Sequence, residues 1–174
     1  MLCSLHTRYE TVAKMKKRIF YSVLFILIVC LAGSFFVLWK ANKPEHDLRE
    51  KAEELALETK TLAVIDDSYA YNGSKPYITV IGKDEYGKQK AIFVPITMKE
   101  DAMQEIYLDE GISEEQAIQT VAKQANIKEI FYTKLGYEEA GPVWEITYKN
   151  EQDKINYVYI LFEDGLWWKR ILNL

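Results

Sequence analysis

The sequence predicts an α+β protein: one membrane-spanning helix followed by two units that each read as a helix and then an antiparallel meander. Three observations carry this. Ile19 to Trp39 is 21 residues without a charge, 18 of them hydrophobic. Beyond it, a helix-period stretch followed by strand-period stretches occurs twice. And the chain is 49% hydrophobic while its mean hydropathy is −0.19, so apolar and charged residues are segregated along it.

The span comes first. A hydrocarbon layer about 30 Å thick needs roughly 20 apolar residues at 1.5 Å rise each. Only Ser22, Gly33 and Ser34 interrupt the run, and Tyr21 and Trp39 stand near its ends, where amphipathic rings favour the interface. Lys14, Lys16, Lys17 and Arg18 form a basic flank, whereas Lys40 and Lys43 are soon diluted by Glu45, Asp47 and Glu50. Positive charge beside a first span stays cytoplasmic, which predicts a cytoplasmic tail over 1–18, an anchor over 19–39 and an extracellular remainder. Two alternatives compete with an anchor. A cleavable signal peptide finds a small-residue site at Ala32-Gly33-Ser34, but Phe35 to Trp39 continue the apolar run. Leu31-Ala32-Gly33-Ser34 has the shape of a lipoprotein box with Ser34 in place of the lipidated cysteine. An uncleaved anchor is the expectation, with Met15 a second possible start that leaves open whether residues 1–14 are translated.

Cys3 and Cys30 are the only cysteines, so the outer part is expected to hold together without disulfides. The first 39 residues hold five Lys/Arg and one acid, leaving 17 basic against 25 acidic residues beyond, a net of −8. Such a surface argues against nucleic acid as a partner.

Pro44 suits a first helical turn, followed by Glu45, Asp47 and Glu50. Leu48, Ala52, Leu55, Thr59 and Leu62 recur at helical spacing, marking either a stalk or the first element of the fold. Ala63 to Tyr71, Tyr77 to Ile81 and Ala91 to Val94 read as three strands, with Asn72-Gly73 as a tight turn between the first two. The pattern then repeats. Ser113 and Gln116 form a capping box ahead of a helix near 114–125. Strands follow at Ile127 to Leu135, Val143 to Tyr148, Ile155 to Phe162 and Leu166 to Leu172. The expected division is a juxtamembrane helix and first α+β module over 40–110, then a second module over 111–174.

Chemistry is sparse. His6 lies in the tail and His46 in the juxtamembrane segment, where neither is expected to reach a site in the modules, and no thiol lies beyond the span, so cysteine nucleophiles and thiolate metal sites are excluded there. No Gly-rich phosphate loop or Gly-x-Ser-x-Gly turn is present. Asp66-Asp67 and Glu138-Glu139 are the carboxylate pairs a glycosidase would need, but neighbours in a strand point to opposite faces; solvated charges are the expectation. No catalytic residue, cofactor, metal or small-molecule substrate is expected. The aromatics are more informative. Sixteen lie beyond residue 40, ten of them between Phe131 and Trp168. Tyr157 and Tyr159 share one strand face while Val158, Ile160 and Phe162 share the other. Adjacent Trp167 and Trp168 either point one inward and the other towards a partner, or are both buried between the modules. Tyr157, Tyr159, Trp167 and Trp168 are therefore the candidate partner surface.

The layout resembles the TseB-like cell-wall elongation regulators, also known as YpmB-type proteins, of low-GC Gram-positive bacteria. The residues that carry the resemblance are Gly111-Ile112-Ser113-Glu114-Glu115-Gln116-Ala117, Val143-Trp144-Glu145-Ile146-Thr147-Tyr148, Ile155 to Phe162 and Asp164-Gly165. The second unit is also similar to PepSY modules, although Phe162-Glu163-Asp164-Gly165 departs from their Thr-Gly hairpin. The resemblance implies cystatin-like modules, no catalysis, and an extracytoplasmic role in contact with an envelope protein such as a class B penicillin-binding protein. The PepSY similarity carries an alternative, a propeptide-like protease-inhibiting module at the cell surface.

Overall fold

The computed structural model describes Tyr21, residues 24–34 and residues 45–174. Residues 24–34 are helical, and Glu45–Leu174 forms a separate compact unit. Among the described residues no helix is long and apolar enough to cross a membrane. The expected span is only partly among them: residues 19, 20, 22, 23 and 35–39 fall outside, as do the flank Lys14, Lys16, Lys17 and Arg18, and Pro44.

The compact unit is α+β, with two four-stranded antiparallel sheets. Helix α1 covers residues 45–58. It is an element of the fold: Ala52 and Ala56 are completely buried, and Leu62 follows them into the same core. Arg49 Nε donates to Ser68 Oγ at 3.0 Å, and Ser68 Oγ in turn donates to Glu53, so polar contacts fix the helix along the first strand. The first sheet runs in order β1 (Val64–Asn72), β2 (Pro76–Lys83), β3 (Gln89–Pro95) and β4 (Gln104–Tyr107). Its Ile78, Val80, Ile92 and Val94 meet α1. The opposite face, including Tyr77, Ile81, Ala91 and Phe93, joins the core of the second half.

Two expectations for the first sheet are corrected. The meander has four strands: Gln104-Glu105-Ile106-Tyr107 pairs with β3 as an edge, with Lys90 and Glu105 bridged at 3.0 Å. Its mostly polar sequence suits a short solvated edge strand. The Asn72-Gly73 signal marks a turn, but the connection spans three residues because Asn72 pairs with Pro76. Gly73 is there for space. A Cβ on it would lie 2.0 Å from Glu138 Oε1.

Helix α2 (Glu114–Ala122) starts with both halves of the Ser113/Gln116 capping box and ends three residues earlier than its periodicity predicts. The second sheet runs in order β5 (Ile127–Glu138), β6 (Gly141–Asn150), β7 (Ile155–Leu161) and β8 (Trp167–Ile171). Leu135, Trp144, Ile146, Tyr148, Val158 and Ile160 turn inward to Ala117 and Val121 of α2. β5 is an edge strand, and side chains of the first sheet cover it. Leu135 N–H donates to Tyr69 Oη at 2.9 Å, and Leu135 C=O accepts from Thr79 Oγ1 at 3.0 Å. Backbone groups that would otherwise be unpaired are thus satisfied where the two halves meet.

Candidate functional site

The outer face of the second sheet gathers side chains that no strand pattern alone makes useful. On β5, alternation puts Tyr132, Lys134, Gly136 and Glu138 on this face; on β6 it puts Val143, Glu145 and Thr147 beside them. Tyr157 and Tyr159 of β7 follow in register, opposite Thr147 and Glu145. At β8 the register slips between Tyr159 and Ile160, leaving Trp168 as an extra residue. That bulge sets Trp168 edge-on to Tyr159, with ring centroids 5.9 Å apart.

One side chain arrives from the first sheet. Tyr71 of β1 lies directly over Gly136, where a Cβ would be 2.2 Å from its ring. Its hydroxyl donates to Glu138 Oε1 at 2.9 Å, and Ser74 N–H donates to Glu138 Oε2 at 3.1 Å. The Ser74 hydroxyl bonds the same carboxylate. Glu138 is only 6% exposed, so the expectation of a solvated charge is corrected for this residue. Three donors make its burial tolerable. Asp66, Asp67 and Glu139 are exposed.

Between Tyr71 and the strand tyrosines lies a groove of about 210 Å³, walled by Tyr132, Tyr157 and Tyr159 and closed on one side by the β1 backbone from Ala70 to Asn72. Glu145 and Lys134 line it. Lys134 Nζ donates to Ala70 C=O at 3.0 Å and sits 5.5 Å from the Tyr69 ring centroid and 5.4 Å from that of Tyr132. Glu145 accepts from Tyr132 Oη at 3.1 Å. Burial pushes the Glu145 carboxyl above the ordinary carboxylate range, with Glu138 adding to the rise and Tyr132 and Lys134 opposing it. Burial likewise raises the Tyr159 and Tyr71 hydroxyls, so both tyrosines stay neutral hydrogen-bonding groups.

The four expected surface residues separate. Tyr157 is half-buried, Tyr159 is 8% exposed, and both join Tyr71, Val143 and Trp168 in an outer-face cluster. Trp167 packs against the inner core, with the Arg170 guanidinium 4.9 Å from its ring centroid. Tyr71, Tyr132, Lys134 and Glu145 were not among the expected residues. For Tyr132 and Lys134 the signal was the period-2 row Tyr132-x-Lys134-x-Gly136-x-Glu138, whose strand-interior glycine marks the close approach of another side chain.

A second cavity, about 410 Å³, opens beside the start of α2, lined by Lys88, Leu108, Ile112, Ser113 and Trp144 among others. Two of its polar groups are engaged: Ser113 caps the helix, and Trp144 Nε1 donates to Ile112 C=O at 2.9 Å. Among the described residues no group of three or more His, Cys, Asp or Glu side chains is placed to hold a metal ion.

Comparison with known proteins finds relatives of this chain. Residues 51–95 match the family described as cell wall elongation regulator TseB-like domain. The chain is 24% identical over 147 residues to a Bacillus subtilis protein named "Probable cell wall elongation regulator TseB", an alignment that covers 84% of this chain and 89% of the relative. The solved structure of the YpmB protein from Bacillus subtilis superposes with a TM-score of 0.61 at 27% identity, covering 69% of this chain and 95% of that one. Matched in a domain, along most of its length and in fold, the chain is similar to the TseB-like (YpmB-type) cell wall elongation regulators.

Proposed function

We propose that this protein is a non-catalytic, membrane-anchored regulator that acts outside the cell by binding the peptidoglycan synthesis machinery, with a class B penicillin-binding protein as its partner. In this reading Ile19 to Trp39 is the single span, Lys14, Lys16, Lys17 and Arg18 hold the amino terminus inside, and two cystatin-like modules, 40–110 and the PepSY-like 111–174, stand outside. The observation that carries the reading is the alignment with a cell wall elongation regulator over 84% of this chain. The uncharged 21-residue stretch and the aromatic outer face of the second sheet support it, since an anchored binding module needs a tether and a contact surface.

Two measurements test it in intact cells. A Glu151→Cys variant is expected to react with a membrane-impermeant maleimide; protection from the reagent overturns the orientation. A photoreactive residue at position 166, exposed beside the outer face, is expected to capture a transpeptidase of cell-wall elongation. Recovery of no envelope synthase overturns the partner assignment.

A further inference from the structure

The groove on the outer face of the second sheet has a chemistry that selects its occupant. Its walls are tyrosine rings, the Glu145 carboxylate lines it at 8% exposure, and its volume is about 210 Å³. That is room for one long side chain. We propose that the groove receives a single arginine side chain from an extended segment of a partner protein, with its guanidinium on Glu145 between the rings of Tyr132, Tyr157 and Tyr159. The proposal rests on the reading of the protein as an envelope binding module and names what that module recognises.

Two observations favour a cation. First, the buried charge at the groove is negative: Glu145 and Glu138 are two buried carboxylates, Lys134 is the cation that acts on Glu145, and Lys169 stays at the exposed rim. Lys134 Nζ is also committed to Ala70 C=O. Second, the rings of this face already receive cations. Lys134 stands over Tyr69 and Tyr132, and at the exposed rim Lys169 stands over Tyr159 and Trp168. A guanidinium suits this setting better than an ammonium. It is planar, stacks on aromatic faces and carries five donors in a fork that matches a carboxylate.

The test is an NMR titration of the full chain in detergent micelles with N-acetyl-arginine amide. Backbone amides of Tyr132, Glu145 and Tyr157 and the Trp168 indole N–H are expected to shift saturably, with Kd on the order of 1 mM as befits a ligand of this size. Glu145→Gln should weaken binding about tenfold by removing the charge. Should that variant lose its native amide dispersion, Tyr157→Leu, on the half-buried wall, is expected to weaken binding at least threefold. N-acetyl-lysine amide should bind more weakly than the arginine amide. Absence of saturable shifts, equal affinity in the Glu145→Gln protein, or preferential binding of N-acetyl-glutamate amide overturns the proposal, the last by assigning the groove to an anion held by Lys134. A chain that captures a transpeptidase but does not bind the arginine amide refutes this inference alone. Arginine binding without capture of a synthase refutes the functional reading and leaves the groove assigned.

Discussion

The two sheets share one plan and end in different surroundings. In the first, both faces of the central strands are covered: Ala91, Ile92, Phe93 and Val94 are consecutive and all at 0% exposure, alternately meeting α1 and the second half. A continuous apolar run is what burial on two sides requires. In the second, Val143 to Tyr148 is just as buried, yet its chemistry alternates. Trp144, Ile146 and Tyr148 face the core, whereas Glu145 and Thr147 face outward under side chains. The first sheet is a partition and the second has a working face. Polar atoms buried under rings, with no secondary-structure element over them, are what distinguish a surface built to be covered from one already covered.

The sharpest break in this contrast comes from the partition. Phe93 fills the space between the halves, 5.4 Å from the Tyr137 ring centroid, and its truncation leaves a cavity that neither sheet can close. Phe93→Ala should cost about 4 kcal/mol. Phe131→Ala, at a side chain 45% exposed on β5, should cost less than about 0.5 kcal/mol. Chemical denaturation followed by tryptophan fluorescence measures both. Equal losses would mean that the first sheet is no more committed than the rim of the second.

A smaller effect, at the seam, is expected from Gly136→Ala. The added methyl group meets the Tyr71 ring at 2.2 Å, too close for a small adjustment. Tyr71 must swing away, and with it goes its bond to Glu138. Overpacking of this kind costs about 2 kcal/mol. Pairing it with Tyr71→Ala in a double-mutant cycle should recover part of the loss, because the clash then has no partner. Strict additivity would show that the glycine serves some other purpose.

Much of the scaffold was legible because local rules governed it. The capping box at Ser113 and Gln116, the period-2 runs of β5 to β7 and the shared face of Tyr157 and Tyr159 all depend on residues a few positions apart. β4 was illegible because four mostly polar residues at an edge bury too little to impose a pattern. The candidate site was half legible for a related reason. Tyr157, Tyr159 and Trp168 stand out as aromatics, but the residues that give the groove its charge and its wall are ordinary in sequence. Tyr71 reaches Glu138 across 67 positions, and Lys134 reaches Ala70 across 64. Such contacts are set by how the halves pack, which composition and periodicity do not encode.

The smallest effect, on pH dependence, separates buried from exposed charge within the second sheet. Glu145 has its carboxyl raised by burial, so the native state holds this proton more tightly than the unfolded chain does. As pH rises through the window that begins at the ordinary value of 4.5, the unfolded chain releases the proton first, and stability falls. Asp153 at the β6–β7 turn behaves in the opposite sense. Lys128 at 2.8 Å and Lys149 at 3.0 Å hold it down to about 2, so its contribution is present above pH 3.8 and is lost as pH falls towards 2. Glu145→Gln should therefore remove a downward slope in melting temperature above pH 4.5, and Asp153→Asn an upward slope below pH 3.8. Because Asp153 is solvent-exposed, its slope should shrink in 0.5 M salt while that of Glu145 persists. If salt flattens both equally, the outer face is as open to water as the turn, and the carboxylate in the groove has no special claim on a cationic partner.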